Sequence, residues 1–286
     1  MTAIMLKELR TYFTQMMGYI ILAFTVLITA IFFVMNVFMR SPNFHQVLSS
    51  TAFLFIFIVP IITMRLFAEE VKNKTDQLLY TSPLSIWQIV LGKYLAASIL
   101  FLIAMVVTMI FPIILSNYGE LPISQIIGAY VGYILIGLQF IAVGLFISVL
   151  SENQIIAAII TLAIIGSLAI IDFLAMFMPV EATTSLIFVV VMICVVAVIF
   201  YVNTKSKITA IAFAVIGNVI TIVLYLVNNL MFDGIIGRSF RWLSVFSRFE
   251  NLTRGILNLS DIVFYITFAL VFIYLTVNVI EKRRWR

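Results

Sequence analysis

The sequence has 286 residues, of which 64% are hydrophobic and only 10% are charged. Soluble domains are about half apolar and a quarter charged, so this chain has too few charges to cover a water-exposed surface. Its mean hydropathy of +1.22 and its apolar runs, each as long as the roughly 20 residues that a helix needs to cross a bilayer, predict an integral membrane protein.

Polar and turn-forming residues separate these runs from one another. The runs are too long for barrel strands and do not alternate between apolar and polar residues. The pattern therefore predicts an all-α, polytopic membrane protein with about eight transmembrane helices. The predicted spans are residues 18–39, 47–68, 92–116, 124–150, 154–178, 185–203, 207–231 and 260–280.

The N-terminal residues 1–15 have the pattern of an amphipathic helix that lies along the inner leaflet before the first span. The apolar stretch that follows is too long for the hydrophobic region of a signal peptide. The helix has an apolar side of Ile4, Met5, Leu9, Tyr12 and Phe13 and a polar side of Lys7, Glu8, Thr11 and Gln15.

The polar stretch at residues 69–91, between the second and third spans, is the most informative part of the chain; we call it the coupling segment. Asn73 or Thr75 can cap a short helix, which Pro83 ends because a proline disfavours helical geometry in the residue before it. Ser85 and Gln88 match a capping box, so a second helix is predicted to begin there and to continue into the third span. The result is a short helix held parallel to the membrane.

Few polar side chains lie inside the predicted spans. Asp172, in the fifth span, is either a residue of a substrate or proton pathway or a hydrated carboxylate near the membrane surface. Asn218, in the seventh span, is either a pathway residue or a hydrogen-bonding contact between helices.

A second unusual stretch, residues 233–259, mixes aromatic residues with arginines and is predicted to form re-entrant or interfacial helices on the outer side. The remaining basic residues outnumber those on that side when both termini are placed in the cytoplasm. The outer basic residues are then Arg40, Arg238, Arg241, Arg248 and Arg254. We therefore expect a multi-pass protein of the bacterial cytoplasmic membrane with both termini inside.

The residue inventory offers no catalytic site. His45 is the only histidine and Cys194 the only cysteine, so neither a nucleophilic triad nor a metal site can be assembled. Gly92 and Lys93 do not belong to a phosphate-binding loop, because Trp87 and Tyr94 stand where that motif requires glycine and serine or threonine. We expect no enzyme activity, no metal and no cofactor in this chain, and its basic residues indicate no nucleic-acid partner.

The coupling segment resembles the loop between the second and third spans of the ABC type-2 transporter family, which includes permeases of bacterial exporters and of the gliding-motility and nitrous-oxide-reductase maturation systems. The glycine that precedes the threonine in that family is Lys74 here. Residues 244–285 resemble the family's re-entrant segment, last span and basic tail. The matching residues of the loop are Glu69, Glu70, Thr75, Leu78, Leu79, Pro83, Trp87, Gly92 and Lys93.

The resemblance implies a six-span exporter scaffold, with an inserted helix pair within residues 179–231. It also implies a permease that pairs with a second copy or a related permease and docks residues 74–82 on a separate ABC ATP-binding subunit, which would hold ATP and Mg²⁺. Lys93 is then an anchor at the membrane interface, and an extracytoplasmic accessory protein is a candidate partner for residues 233–259. The residues implied in coupling are Glu69, Glu70, Lys74, Thr75, Asp76, Gln77, Leu78, Leu79 and Pro83.

Two other functions remain open from the residues alone. One is a transporter driven by an ion gradient, with Asp172 as the ion site, and the other is a membrane anchor for a protein complex. The transported substrate is not identified by the sequence.

Overall fold

The computed structural model describes residues 1–38, 43–75, 84–117 and 121–284, with the backbone alone for residues 172, 176, 203, 204 and 243. These residues form helices and no strand. The α-helices are α1 (Thr2–Thr14), α2 (Met17–Phe38), α3 (Phe44–Thr51), α4 (Phe55–Thr63), α5 (Ala68–Lys72), α6 (Ile86–Thr108), α7 (Ile110–Ser116), α8 (Ile123–Leu150), α9 (Gln154–Phe177), α10 (Ala182–Thr204), α11 (Lys207–Val227), α12 (Ile235–Leu243), α13 (Val245–Thr253) and α14 (Leu259–Arg284).

Eight stretches of the described residues are long and apolar enough to cross a bilayer, which confirms the predicted all-α, polytopic membrane fold. They are Met17–Phe38, Phe44–Lys72, Ile86–Ser116, Ile123–Leu150, Gln154–Ala175, Ala182–Val202, Lys207–Val227 and Leu259–Arg284. Each overlaps one predicted span, and the ends differ by a few residues.

The chain divides into two compact units. The first consists of Met1–Ser167 and Val245–Arg286, and the second of Leu168–Ser244. In the first unit α8 is central, because it packs against α3, α4, α6, α13 and α14. Of its most apolar stretch 72% is buried, against 17% for the first span.

Glycines along α8 allow these neighbours to approach closely. Added Cβ atoms would overlap the Leu252 carbonyl of α13 at Gly128 and the Thr63 hydroxyl of α4 at Gly144. Small residues permit such contacts between membrane helices, where packing rather than the hydrophobic effect drives association. The glycines therefore permit α4 and α13 to pack directly against α8.

The second and third spans are interrupted helices. The second contains α3, a short 3₁₀ helix, α4, a turn and α5, and the turn falls at residues 64–67. In the third, α6 ends at Thr108. In a continuous helix the ring of Pro112 would clash with the Thr108 carbonyl, four residues earlier. The turn in the second span is the feature that positions the candidate site.

The second unit contains a pair of long apolar helices, α10 and α11, packed along each other. Lys205 links them in a left-handed conformation (φ 53°), and its N–H donates to the Tyr201 carbonyl at 2.8 Å. The amphipathic helix α12 follows in the same unit. That these helices are an insertion into a six-span scaffold stays a prediction.

Candidate functional site

The candidate site is built around the turn in the second span. A helix that stops inside a membrane protein leaves N–H and carbonyl groups without partners. Here Ser148 of α8 supplies the missing partners. Its hydroxyl accepts from the N–H groups of Phe67 (3.0 Å) and Ala68 (3.2 Å) and donates to the Met64 carbonyl (3.1 Å). One side chain thus stabilises the turn between α4 and α5.

Lys93 of α6 fills the space beside this turn. Its side chain is 1% exposed, and its ammonium contacts Glu70 Oε1 at 2.8 Å, Glu8 Oε1 at 2.9 Å and the Leu66 carbonyl at 2.6 Å. A lysine ammonium has three N–H donors, so every donor has an acceptor. We call this arrangement, Lys93 with Glu8, Glu70 and the Leu66 carbonyl, the Lys93 cluster.

The cluster joins three parts of the chain. Glu8 belongs to α1, Glu70 to α5 at the start of the coupling segment, and Lys93 to α6, which begins the third span. Both carboxylates are largely buried, with 10% of the Glu8 side chain and 13% of the Glu70 side chain exposed. Separating such ions is costly because each would remain in a low-dielectric environment without its partner.

Gly92 explains how α1 can lie so close to α6. A Cβ at this position would stand 3.1 Å from the Ile4 side chain and from the Met1 carbonyl. The adjacent Gly92 and Lys93 therefore have complementary effects, since the glycine admits α1 and the lysine binds its carboxylate.

Tyr12 fixes the other end of α1. Its hydroxyl donates to the Ile62 carbonyl at 2.6 Å, and the side chain is completely buried. This burial raises the pKa of Tyr12 far above its usual range, and the nearby Arg65 charge opposes the shift only in part. The hydroxyl consequently stays neutral and remains a donor.

Arg65 lies over the Tyr12 ring, 5.0 Å from its centroid. It also donates to the Gln15 side-chain oxygen and forms a 3.8 Å ion pair with Glu69. A cavity of about 410 Å³ opens beside these groups. Its lining combines basic, acidic and neutral polar side chains: Lys7, Glu8, Thr11, Arg65, Leu66, Glu69, Glu70, Asn73, Thr75 and Lys93.

The backbone geometry at the end of α5 explains why the family has a glycine at the position of Lys74. The Lys74 N–H donates to the Val71 carbonyl at 3.1 Å and the Thr75 N–H to the Glu70 carbonyl at 2.9 Å, the two bonds of a Schellman motif. Lys74 has a φ of 56°, a left-handed conformation that glycine adopts without steric cost. The left-handed backbone at this position favours glycine, and Lys74 adopts the same conformation.

The predicted coupling residues fall into two groups. Glu69, Glu70, Lys74 and Thr75 lie beside the cavity or at the α5 end, as described above. Asp76, Gln77, Leu78, Leu79 and Pro83 lie outside the described residues. The helix after them begins as predicted, because Ser85 and Gln88 form both bonds of the capping box at 3.3 Å.

Three other predicted residues have the following positions. Lys93, expected as an anchor at the membrane interface, has the Glu8 and Glu70 carboxylates and the Leu66 carbonyl as partners; its anchoring role stays a prediction. Asp172 lies on α9, where its backbone alone is described. Asn218 of α11 donates to Cys194 Sγ of α10 at 3.6 Å, the geometry of a contact between helices; its pathway role stays a prediction.

Sequence reasoning placed Glu8 on the polar side of the N-terminal helix, and this was wrong. Ile4, Glu8 and Tyr12 are the buried residues of α1, and they share one face because they are four residues apart. Glu8 is buried because Lys93 neutralises it. The four-residue spacing of Ile4, Glu8 and Tyr12 could have indicated this buried face. It was overlooked because an acidic residue is ordinarily expected to face water.

A second buried ion pair was also missed. Arg248 of α13 contacts Asp261 of α14 at 2.9 Å and lies 4.2 Å from the Phe264 ring centroid. Asp261 is 4% exposed. The pair holds α13 against the last span, next to the Tyr265 hydroxyl that donates to the Val245 carbonyl at 2.7 Å.

Comparison with known protein families identifies a family for this chain. Residues 5–175 match the model of a family described as ABC-2 family transporter protein. That stretch contains every member of the Lys93 cluster, and it ends before α10. No curated protein and no solved structure matches the chain.

Proposed function

This chain belongs to the ABC-2 transporter family and is a membrane permease of that family, and we propose that it serves an ATP-driven exporter by coupling a separate ATPase to its spans through the Lys93 cluster. ATP binding closes the ATPase subunits, which displace the coupling segment. The displaced segment moves α1 and α6 with it, and a route opens between two permease copies.

The observation that carries this proposal is that Lys93 binds Glu70 and Glu8 together. Glu70 lies at the start of the coupling segment, only a few residues before residues 74–82, so a force applied there would reach the cluster over a short stretch of chain. Pulling Glu70 away would leave buried charges unpaired, at a cost of about 3–5 kcal/mol. It is therefore more favourable for the coupling segment, α1 and α6 to move together.

Docking is tested with the leucines of the coupling segment. Replacing Leu78 and Leu79 by Asp should abolish co-purification of ATP-hydrolysing activity with the tagged permease, because it removes the apolar surface of the docking helix. Leu257→Asp with Leu259→Asp is the matched control, since Leu257 lies just before α14 and Leu259 begins it, and both side chains are exposed (58% and 74%). Equal ATPase recovery from the two double variants would contradict docking at this helix.

Transmission is tested separately with Glu8, which lies outside the coupling segment. In the purified complex, trapping with ATP and vanadate should change amide hydrogen exchange both at residues 69–75 and in α1. Glu8→Gln should keep the change at 69–75 and lose the change in α1. Glu250→Gln, which removes an exposed carboxylate paired with Arg254, serves as control. An unchanged α1 response in Glu8→Gln would exclude the cluster as the transmitting element.

The family resemblance supports two permease copies in one complex. Cross-linking of the tagged protein in native membranes should give a permease–permease product at twice the monomer mass. A permease seen only as a monomer in the ATPase-containing complex would contradict the paired arrangement.

A further inference from the structure

The second unit contains two adjoining cavities whose linings differ in chemistry. The first, about 530 Å³, is lined almost entirely by apolar side chains of α10, α11 and α12. The second, about 380 Å³, is lined by Ile235, Arg238, Ser239 and Trp242 of α12. The first cavity has the lining Phe188, Val189, Met192, Ile193, Val196, Phe213, Ile235, Ser239 and Phe240.

The two cavities adjoin each other at α12. Ile235 and Ser239 line both of them and lie on the same helix face, four residues apart. A molecule with an apolar part in the first cavity can therefore place its polar part in the second. Each volume falls within the roughly 300–1,000 Å³ of ordinary ligand pockets.

Hydrogen bonds anchor the start of helix α12 within the second unit. The N–H of Gly234, in a left-handed conformation (φ 66°), donates to the Val180 carbonyl at 2.8 Å. Arg238 Nη2 donates to the carbonyls of Met231 (3.0 Å) and Asp233 (2.6 Å). Both of these bonds use Nη2 of Arg238. With respect to the described residues, its Nε and Nη1 are therefore available to a further acceptor.

The surroundings identify the occupant. Helices α10 and α11 are spans, so the medium around the apolar cavity is hydrocarbon and its natural occupant is an acyl chain. Helix α12 contains Arg238, Arg241 and Trp242 and no acidic residue. Tryptophan is enriched at the level of the lipid head groups, and arginines there favour anionic lipids.

We propose that these cavities bind one phospholipid with an anionic head group, with an acyl chain between α10 and α12 and the phosphate against Arg238. The site lies beyond the residues matched by the family model and does not depend on the ATPase partnership. The occupant is a lipid that the protein retains, in contrast to the exchanging lipids around a membrane helix.

Trp242 allows a direct test in the full-length protein. With Trp87 and Trp285 replaced by Phe, Trp242 is the only tryptophan. The protein is reconstituted in phosphatidylcholine vesicles that contain a minor fraction of a lipid brominated on its acyl chains, either phosphatidylglycerol or phosphatidylcholine. We expect Trp242 fluorescence to be quenched with about fivefold higher apparent affinity by brominated phosphatidylglycerol, the preference that one interfacial arginine confers.

Variants identify the residues responsible. Arg238→Gln should abolish the preference and Arg238→Lys should retain most of it, while Arg254→Gln, which removes an exposed arginine of the first unit, should leave it unchanged. Ser239→Phe should fill the junction of the cavities and weaken quenching by both lipids, whereas Ile211→Phe on an exposed position of α11 should not.

Equal quenching by the two lipids would show that only ordinary bilayer lipid contacts Trp242 and would overturn the proposal. So would a preference that survives both Arg238→Gln and Ser239→Phe, with circular dichroism confirming that each variant is folded.

Discussion

Glu70 of α5 and Lys93 of α6 lie near the two ends of the coupling segment, and their side chains meet at 2.8 Å inside the protein. The contact closes the coupling segment into a loop whose two ends are tied together by charge. Glu8 contacts the same ammonium at 2.9 Å, so the N-terminal helix α1 is joined to both ends of the segment.

Removing the lysine should reveal how much the cluster stabilises the protein. Lys93→Met leaves Glu8 and Glu70 buried without a counter-charge, so we expect the free energy of unfolding in mixed micelles to fall by about 3–5 kcal/mol. Adding Glu70→Gln to Lys93→Met should recover part of this loss because one unpaired carboxylate disappears. Lys282→Met, an exposed position at the end of α14, should change the value by less than about 0.5 kcal/mol. A loss no larger than that of the control would show that the cluster is not held as a buried ion pair.

Much of the fold could be predicted because the information is local. Apolar runs of span length predict the eight membrane helices, and Ser85 with Gln88 predicts where α6 begins, since both capping partners lie within four residues. The turn at residues 64–67 could not be predicted in this way. It is stabilised by Ser148, which is distant in the chain, and a serine in an apolar helix gives no indication of which backbone it will bind.

The candidate site shows the same limit. Lysine at the end of an apolar run is ordinarily interpreted as reaching for lipid head groups, and an acid in an amphipathic helix as facing water. Each interpretation is reasonable for one residue alone. Lys93 and Glu8 are buried because each neutralises the other, and that pairing exists only once α1 packs on α6 at Gly92.

The Tyr12 hydroxyl should contribute to stability through its bond to the Ile62 carbonyl, near the end of α4. Tyr12→Phe leaves that carbonyl without its donor, and we expect a loss of about 1–3 kcal/mol in the free energy of unfolding. Tyr19→Phe, at a position 58% exposed, should have little effect.

The pH dependence of Tyr12 gives a second measurement. Its folded pKa is raised above the unfolded value, so its contribution is complete below about pH 10 and is lost as pH rises further. The stability difference between wild type and Tyr12→Phe should therefore narrow above about pH 10. A difference that widens in alkali would contradict a neutral, buried Tyr12.

Ser148 should be far more sensitive than another buried serine. Ser148→Ala removes the acceptor for two N–H groups and the donor for one carbonyl, and we expect a loss of about 1–3 kcal/mol. Ser98 is also buried, but it bonds to Tyr94 of its own helix at 2.8 Å, where the carbonyl already has a helical partner. Chemical unfolding of Ser98→Ala should stay within about 0.5 kcal/mol of wild type; equal losses in the two variants would argue against a special role for Ser148 at the turn.

Replacing each of two helical glycines by alanine should change the stability of the protein in opposite directions. At Gly144 the new methyl group overlaps Thr63 of α4, and overpacking of this kind costs about 1–3 kcal/mol. At Gly166 nothing lies within 4 Å of an added Cβ, so alanine should stabilise α9 by about 0.5–1 kcal/mol through its better helix propensity. Melting temperatures of the two variants in the same detergent test the pair, and a stabilised Gly144→Ala protein would refute the close contact between α4 and α8.

Lys74, the left-handed residue at the end of α5, allows the backbone conformation of the coupling segment to be tested. Lys74→Gly relieves a conformational cost of about 1 kcal/mol, so local opening should become about fivefold rarer. Amide exchange of Thr75, whose N–H is bonded to the Glu70 carbonyl, should slow by that factor. Lys72→Gly removes the same charge from the helical part of α5 and should speed exchange, because glycine disfavours a helix. If both variants exchange alike, charge rather than backbone conformation governs this turn, and the Schellman geometry at Lys74 has no energetic importance.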